Sequence, residues 1–184
     1  LVQIFGKENI DAAAILRKTM PGTKLNIYGH YDPSYRMFLE QKVREERLEK
    51  NVQLHGWKSL EEIYQIIRNS DIGVVPYLKD DFMDLALSTK TFEYAASGLP
   101  VAASRLKSLH SLFSEDCVSF ADPSSAEDLA AKIARLCADP QLREKQARAA
   151  AAVLPSISGE VMAGRYLGLI NGLIGRGDSR GRAA

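Results

Sequence analysis

The sequence predicts an α/β fold: a doubly wound parallel sheet of about six strands, with helices on both faces and extra helices at the C-terminal end. The first observation is that short apolar runs rich in β-branched residues alternate with longer segments of helical periodicity. This alternation favours parallel strands joined by crossover helices. The second is the apolar run at 72–76, which is typical of a strand buried on both faces. The candidate strands are 2–5, 25–28, 52–54, 72–76, 100–103 and 118–120.

Capping signals mark the helix starts. Asp32 precedes Pro33, a pattern typical of an N-cap followed by proline in the first helical turn. Residues 59–62 and 124–127 both read Ser-x-x-Glu, the spacing of a capping box. After residue 120 the pattern is helical, and the candidate helices are 126–138, 141–153 and 159–174. We expect one domain over residues 1–174 and a disordered tail over 175–184.

Composition places the chain among ordinary globular proteins. Its 184 residues are 46% hydrophobic and 26% charged, and 24 basic against 23 acidic residues give a net charge of +1. This balance gives no support to a nucleic-acid partner. The two cysteines lack metal-ligand spacing, which favours a reducing cytosol. No apolar run approaches the ~18 residues of a transmembrane helix, and the strand-like opening predicts that the sequence begins inside a larger protein.

Ligands of doubly wound sheets bind beyond the carboxyl ends of the strands. Three loops are therefore candidates: 6–9, 29–31 and the long connection 76–88. The third ends at Ser88, a natural N-cap whose helix would direct free amides towards a phosphate anion. Lys90 and Glu93 are three residues apart and share one helical face, so a cation and a carboxylate would border the same site. The alternative is a surface ion pair between these two side chains.

The segment 71–76 and the run 84–104, with its Lys-x-x-Glu-Tyr-x-x-x-Gly-x-Pro-Val signature, resemble the donor-binding domain of family 4 retaining glycosyltransferases. Segments 120–129 and 139–143 continue the resemblance, which covers roughly residues 20–150. It implies a glycosyltransferase-B architecture of two Rossmann-like domains, of which this chain matches the C-terminal, nucleotide-sugar-binding one. The acceptor, a sugar or a lipid-linked sugar, would bind the N-terminal domain, which this chain lacks.

The resemblance also assigns roles to individual residues. Glu93 corresponds to the glutamate that holds the ribose hydroxyls. The turn that meets the diphosphate corresponds to Ser88, Thr89 and Lys90, at the end of a loop that includes Pro76 and Leu87. Gly56 and Trp57 match the loop that borders the base, and His30 follows the second strand where it would line the donor pocket.

Two departures from the family pattern affect the site. The family places a sugar-contacting glutamate eight residues before the ribose glutamate, where this chain has Leu85. The neighbouring Asp84 is the candidate substitute as a hydroxyl acceptor. The first loop is also short, so Gly6 and Lys7 stand where the family has a longer basic loop, and Lys7 is the basic candidate for a phosphate ligand.

The resemblance implies a metal-independent transferase that moves sugar from a UDP-sugar or GDP-sugar donor to its acceptor with retention of configuration. It needs no cofactor, and we assign no catalytic residue or metal ligand to this chain. Such enzymes commonly assemble cell-surface polysaccharides or glycolipids, so we expect a cytoplasmic protein, peripheral at the inner face of the membrane. The alternatives are a non-catalytic nucleotide-binding module, favoured by Leu85, and a sugar-nucleotide epimerase of the same architecture.

Overall fold

The computed structural model describes residues 7–180, with side chains described as far as residue 174. The chain divides into two compact units, one up to Ala151 and one from Ala152, where the sequence suggested a single domain to residue 174. The candidate strand 2–5 and the candidate site residue Gly6 lie outside the described residues.

The first unit alternates helices with strands, as the sequence predicts. Its helices are α1 (Lys7–Thr19), α2 (Pro33–Glu45), α3 (Leu60–Arg68), α4 (Thr89–Ala96), α5 (Lys107–His110), α6 (Ala126–Ala138) and α7 (Pro140–Val153), which continues two residues into the second unit. Its strands are β1 (Leu25–Ile27), β2 (Val52–Leu54), β3 (Gly73–Val75), β4 (Val101–Ser104) and β5 (Ser119–Ala121). The five candidate strands within the described residues are therefore confirmed.

These strands form two parallel sheets. One pairs β1 with β2, and the other has the order β3-β4-β5. In the second sheet Val74 is opposite Ala102, and Ala103 is opposite Phe120. The parallel pairing confirms the predicted α/β class, with fewer strands among residues 7–180 than the six predicted from the sequence.

Helices cover both faces of the β3-β4-β5 sheet. Val74 lines the same cavity as Ala13 of α1 and Ile133 of α6, whereas a Cβ at Gly73 would meet Tyr94 of α4. Successive residues of a strand point to opposite faces, so α4 packs on one face and α1 and α6 on the other. This arrangement is the doubly wound one, and it places the start of α4 at the carboxyl edge of the sheet.

A compact apolar core lies between β1, β2, α1 and α2. It is formed by Ile10, Ile27, Leu39, Val43, Leu48 and Val52, all less than a tenth exposed. Burying each of these side chains contributes on the order of 1.5–3 kcal/mol. This core fixes α1 against the first sheet.

The helix caps agree with the sequence in two cases and differ in a third. Asp32 accepts the Ser34 amide at the start of α2, and Ser59 forms the reciprocal capping box with Glu62. At α6, however, the N-cap is Ser125, whose hydroxyl oxygen accepts the Asp128 amide. The predicted box at 124–127 is therefore displaced by one residue, because two consecutive serines offer the same cap chemistry.

The second unit contains a 3-10 helix (Leu154–Ile157) and a long helix, α8 (Gly159–Arg180). α8 continues six residues into the segment for which the sequence predicts disorder, and residues 181–184 are not described. Among residues 7–180, no helix has the length and apolar character that a membrane-spanning segment requires.

Candidate functional site

The start of α4 is an uncapped helix N-terminus. Ser88 occupies the N-cap position with an extended backbone, as predicted, yet its side chain accepts no hydrogen bond from the helix. The residue is only 6% exposed, and its hydroxyl has no hydrogen-bond partner among the described residues. A buried polar group without a partner costs on the order of 1–3 kcal/mol, so this hydroxyl and the free amides beside it are suited to an anion.

Lys90 and Glu93 lie on the first two turns of α4 and are both half-buried. Neither side chain forms an ion pair within 4 Å with any residue of the described part of the chain. The alternative of a mutual surface ion pair is therefore absent from residues 7–174. The ammonium and the carboxylate remain available to a ligand, while Thr89 at the same helix start is exposed.

The opposite face of α4 is fixed to the sheet by Tyr94. This side chain is fully buried, and its ring lies where a Cβ on Gly73 would be 2.8 Å from Cγ. Burial raises the pKa of the Tyr94 hydroxyl. The glycine on β3 thus lets α4 approach closely, which explains physically why a small residue and a tyrosine occur together at these positions.

The end of α4 is a Schellman motif. The Leu99 amide donates to the Tyr94 carbonyl at 2.9 Å, and the Gly98 amide donates to the Ala95 carbonyl at 3.1 Å. Gly98 has φ +70, a left-handed conformation that favours glycine. The Tyr and Gly of the recognised signature are therefore structural, whereas Lys90 and Glu93 are the members left free for binding.

A pocket of about 140 Å³ lies at the carboxyl ends of β3, β4 and β5, on the face covered by α1 and α6. It brings Lys7 and Pro76 together, two residues singled out from the sequence. Lys7 is exposed, and its Nζ is 3.9 Å from Oδ2 of Asp11, whose Oδ1 is 2.5 Å from Lys42 Nζ. The other lining residues are Glu8, Leu78, Ser104, Asp122, Pro123, Ser124, Ser125, Ala126 and Leu129.

Sequence reasoning missed Ser104 and Asp122 in this pocket. Both follow directly from strand ends, at the last residue of β4 and the first residue after β5. Their position relative to the strands was the available signal, since polar residues at the carboxyl edge are the ones that face a ligand.

The residues predicted to border the base lie after β1 and β2. The Tyr28 and His55 rings stack with centroids 4.3 Å apart, and His55 Nε2 lies 3.0 Å from Asn26 Oδ1. Desolvation lowers the pKa of His55. Gly56 and His30 are exposed, and Trp57, at 72% exposed, presents its ring to solvent.

Tyr31 has a buried hydroxyl in this loop region. Its oxygen is buried and has no hydrogen-bond partner among the described residues. Burial raises the pKa of Tyr31 to about 12. Tyr31 lies in the candidate loop 29–31, but neither the burial of its hydroxyl nor the ring stack was expected from the sequence, because both depend on how the two strand ends meet.

In the 76–88 loop, apolar side chains point into solvent and the carboxylate of Asp84 is buried. Leu85 is 82% exposed and Leu87 51%. Asp84 is buried, and both its oxygens contact Lys107: Oδ1 accepts the amide at 3.2 Å and Oδ2 is 3.1 Å from Nζ. The amide hydrogen bond, followed by the Lys107 side chain, lowers the pKa of Asp84. In this arrangement both carboxylate oxygens contact Lys107 of α5, so the carboxylate is not free of partners as the sequence suggested.

The acidic residues of the loop do not gather into a metal site. Asp80 Oδ1 accepts the Met83 amide at 2.6 Å. Within residues 7–174 no three His, Cys, Asp or Glu side chains are placed to hold one metal ion together.

A larger cavity of about 480 Å³ lies between the two sheets, towards the amino ends of β1 and β3. Two polar residues of its lining already donate hydrogen bonds: Asn51 Nδ2 to the carbonyls of Pro21 and Thr23, and Arg143 to those of Leu136 and Cys137. By volume alone, this cavity would be the preferred candidate for the functional site. We assign the functional site to the carboxyl edge instead, because the unpartnered polar groups of α4 are there.

Comparison with known proteins identifies the family of this chain. A family model described as glycosyl transferases group 1 matches residues 7–153. No curated protein matches the chain. The C-terminal domain of LpcC, a group 1 family protein from Francisella tularensis, is similar in structure, with 25% identity, a TM-score of 0.71, and coverage of 85% of this chain and 82% of that one.

Two further structures share the fold at lower identity. A variant of TarM from S. aureus, solved in complex with UDP among other ligands, has 19% identity and a TM-score of 0.77, over 92% of this chain and 34% of TarM. HepE from Anabaena, solved with UDP and glucose, has 20% identity and a TM-score of 0.69, over 95% of this chain and 45% of HepE. The chain thus spans less than half of these proteins. Since the family model matches most of the sequence, the protein belongs to the group 1 glycosyl transferases.

Proposed function

We propose that this chain is the donor-binding domain of a glycosyltransferase that moves a sugar from a nucleotide diphosphate sugar to an acceptor with retention and without a metal ion. The observation that carries the proposal is the uncapped start of α4, where the buried Ser88 hydroxyl has no partner, and Lys90 and Glu93 have no ion pair, within the part of the chain that the structure describes. A second domain of the full-length protein would bind the acceptor, a sugar or lipid-linked sugar of cell-surface polysaccharide or glycolipid synthesis.

The chemistry of the site suits a leaving diphosphate. Free amides and the helix dipole favour an anion by about 0.3–1 kcal/mol at an exposed helix start, and more where water is excluded. Lys90 adds a full positive charge on the same helix. Groups fixed before the reaction stabilise the charge that develops on the diphosphate as the bond to the sugar breaks. Glu93, one turn further along, is the acceptor for the ribose hydroxyls.

UDP is the first nucleotide to test, because the similar TarM and HepE structures contain it. The experiment is calorimetric titration of the chain with UDP, GDP and ADP in EDTA, with uridine as the control that lacks phosphate. We expect one diphosphate to bind and its nucleoside to bind more weakly. Binding that requires Mg²⁺ would contradict the metal-independent mechanism. No detectable binding of any of the three diphosphates would contradict the assignment of the donor site.

One observation favours a second candidate, a nucleotide-binding module without transferase activity. Leu85, which replaces the family's sugar-contacting glutamate, is 82% exposed and offers no polar group to a sugar. Transfer or donor hydrolysis by the full-length protein distinguishes the two functions. A protein that binds the nucleotide and leaves the donor intact with every acceptor offered supports the module.

A further inference from the structure

Asp84 connects two loops at the carboxyl edge of the sheet. It lies four residues before Ser88, is 7% exposed, and contacts Lys107 through both carboxylate oxygens, at 3.2 Å to the amide and 3.1 Å to Nζ. Its main-chain carbonyl also accepts the Ser108 amide at 3.2 Å. The N-cap of α5, Leu106, has no side-chain cap of its own, so Asp84 supplies the cap of that helix from 23 residues away.

A second hydrogen bond ties this loop to α5, on the other side of Leu85 in the sequence. The Ser108 hydroxyl donates to the Ala86 carbonyl at 2.7 Å. Within the loop, the Ala86 amide donates to the Phe82 carbonyl at 2.9 Å. The backbone at 84–86 is thus held at both ends, which explains why Leu85 points into solvent.

Helix α5, to which these hydrogen bonds run, is firmly packed. α5 is fixed by Leu109, 1% exposed, and Leu106, 2% exposed. Two residues after Ala86 the chain reaches Ser88 and the start of α4. The position of the unpartnered hydroxyl and of the first α4 amides is therefore set by α4 itself and by the tie to α5.

We propose that Asp84 and Ser108 are positioning residues of the donor site, which hold the 84–88 segment so that the start of α4 meets the diphosphate of the donor. The inference rests on the proposed function. Asp84 acts through the backbone and has no contact with the donor, which reassigns it from the direct sugar contact that its sequence position suggests. When the ties are removed, the segment must be ordered at each binding event, and the affinity for the diphosphate falls.

The test compares UDP with uridine on the wild-type chain and on Asp84→Ala, Asp84→Asn and Ser108→Ala. We expect the Kd for UDP to rise about tenfold in Asp84→Ala, roughly the effect of fixing the backbone of one more residue on binding. Asp84→Asn keeps an acceptor for the Lys107 amide and should be affected less. The Kd for uridine should stay unchanged in all three, so the UDP-to-uridine ratio of the two dissociation constants rises.

This ratio separates positioning from general destabilisation, since a folded but weakened domain has no reason to lose phosphate affinity alone. Asp116→Asn is the matched control, because it removes one exposed ion pair, to Lys145 at 2.9 Å, that does not involve the 84–88 segment. Ser108→Thr, which keeps a hydroxyl, should recover the wild-type ratio. If Asp84→Ala fails to fold by circular dichroism, Ser108→Ala carries the test, because it removes a single hydrogen bond.

The outcomes distinguish the two claims. A wild-type chain that binds UDP, with an unchanged UDP-to-uridine ratio in folded Ser108→Ala and Asp84→Asn, overturns the positioning role and leaves the donor site intact. A wild-type chain that binds no nucleotide overturns the donor site and the positioning role together. A higher ratio in Ser108→Ala, with the wild-type ratio kept in Ser108→Thr, supports both.

Discussion

Replacing Gly73 by alanine tests how α4 is mounted on the sheet. The added Cβ would lie 2.8 Å from Cγ of Tyr94 and nearer still to Cδ2. Carbon atoms pack at about 3.5–4.0 Å, so Cγ must retreat by roughly 0.7–1.2 Å and Cδ2 by more. Rotation about the Cβ–Cγ bond leaves Cγ in place, and the full burial of Tyr94 restricts other rotamers. We therefore expect α4 and β3 to move apart.

We expect Gly73→Ala to lower the free energy of unfolding by about 1–3 kcal/mol, the usual cost of overpacking. For a domain of this size each kcal/mol lowers Tm by about 2–4 °C, so the fall should be roughly 2–12 °C. Urea denaturation and a thermal melt measure both quantities. Because α4 carries Ser88 and Lys90, the same variant should also bind UDP less tightly.

A double-mutant cycle checks the cause. Tyr94→Ala alone should cost about 3–5 kcal/mol. In the Tyr94→Ala background, Gly73→Ala should become nearly neutral, because the ring that it strikes is gone. Gly22→Ala is the control, since a Cβ there meets nothing within 4 Å. Additive effects of the two substitutions, or a loss of stability for Gly22→Ala as large as that for Gly73→Ala, would refute the reasoning.

Three further predictions concern other parts of the chain. Gly98→Ala should cost about 1–2 kcal/mol by urea denaturation, because alanine is strained at φ +70; Gly98→Asn should cost less. Ser59→Ala should cost about 1 kcal/mol, since it removes the α3 cap and its capping box. His55 has a folded-state pKa lowered from 6.5 by desolvation. The folded state therefore binds the proton less well, so its stabilisation is full above pH 6.5 and is lost as the pH falls through the folded pKa. His55→Gln should remove that part of the pH dependence.

Each of these predictions has a result that would contradict it. Equal stabilities of Gly98→Ala and Gly98→Asn would argue against left-handed strain. A Ser59→Ala variant as stable as wild type would mean that the cap contributes nothing in water. For His55, an unchanged dependence of the unfolding free energy on pH between 5 and 7.5 would be contrary to the desolvation argument, with the exposed Gln53→Ala on the same strand as the control.

The fold was largely predictable because its signals are local. Alternation of apolar strands with helices is visible in the sequence, and Asp32 and Ser59 are caps as expected. Element ends were less certain, as Ser125 shows by taking the cap at the start of α6 in place of Ser124. The boundary after Ala151 was not foreseen, because helical periodicity continues across it and gives no sign of where packing changes.

For the candidate site, the sequence could predict only those features that lie within a single helix. Helix spacing alone places Ser88 at the start of α4 and Lys90 and Glu93 on one face of it, whereas their binding roles come from the family resemblance and stay predictions. The role of Asp84 was not predictable, because its partner Lys107 is 23 residues away and follows a different strand. The stack of Tyr28 on His55 depends in the same way on the meeting of two strand ends. Long-range pairs of this kind have no periodic signature in the sequence.

The central claim is that α4 binds the diphosphate and ribose of a donor nucleotide, and titration of Lys90→Ala and Glu93→Ala with UDP and uridine tests it most directly. Lys90→Ala should weaken the binding of UDP by about tenfold or more, which is the usual effect of losing a charged hydrogen bond. It should leave the binding of uridine unchanged. Glu93→Ala should weaken both, because both carry the ribose. Lys132→Ala, which breaks an α6 ion pair with Asp128, is the control. UDP binding that neither α4 substitution alters would contradict the account.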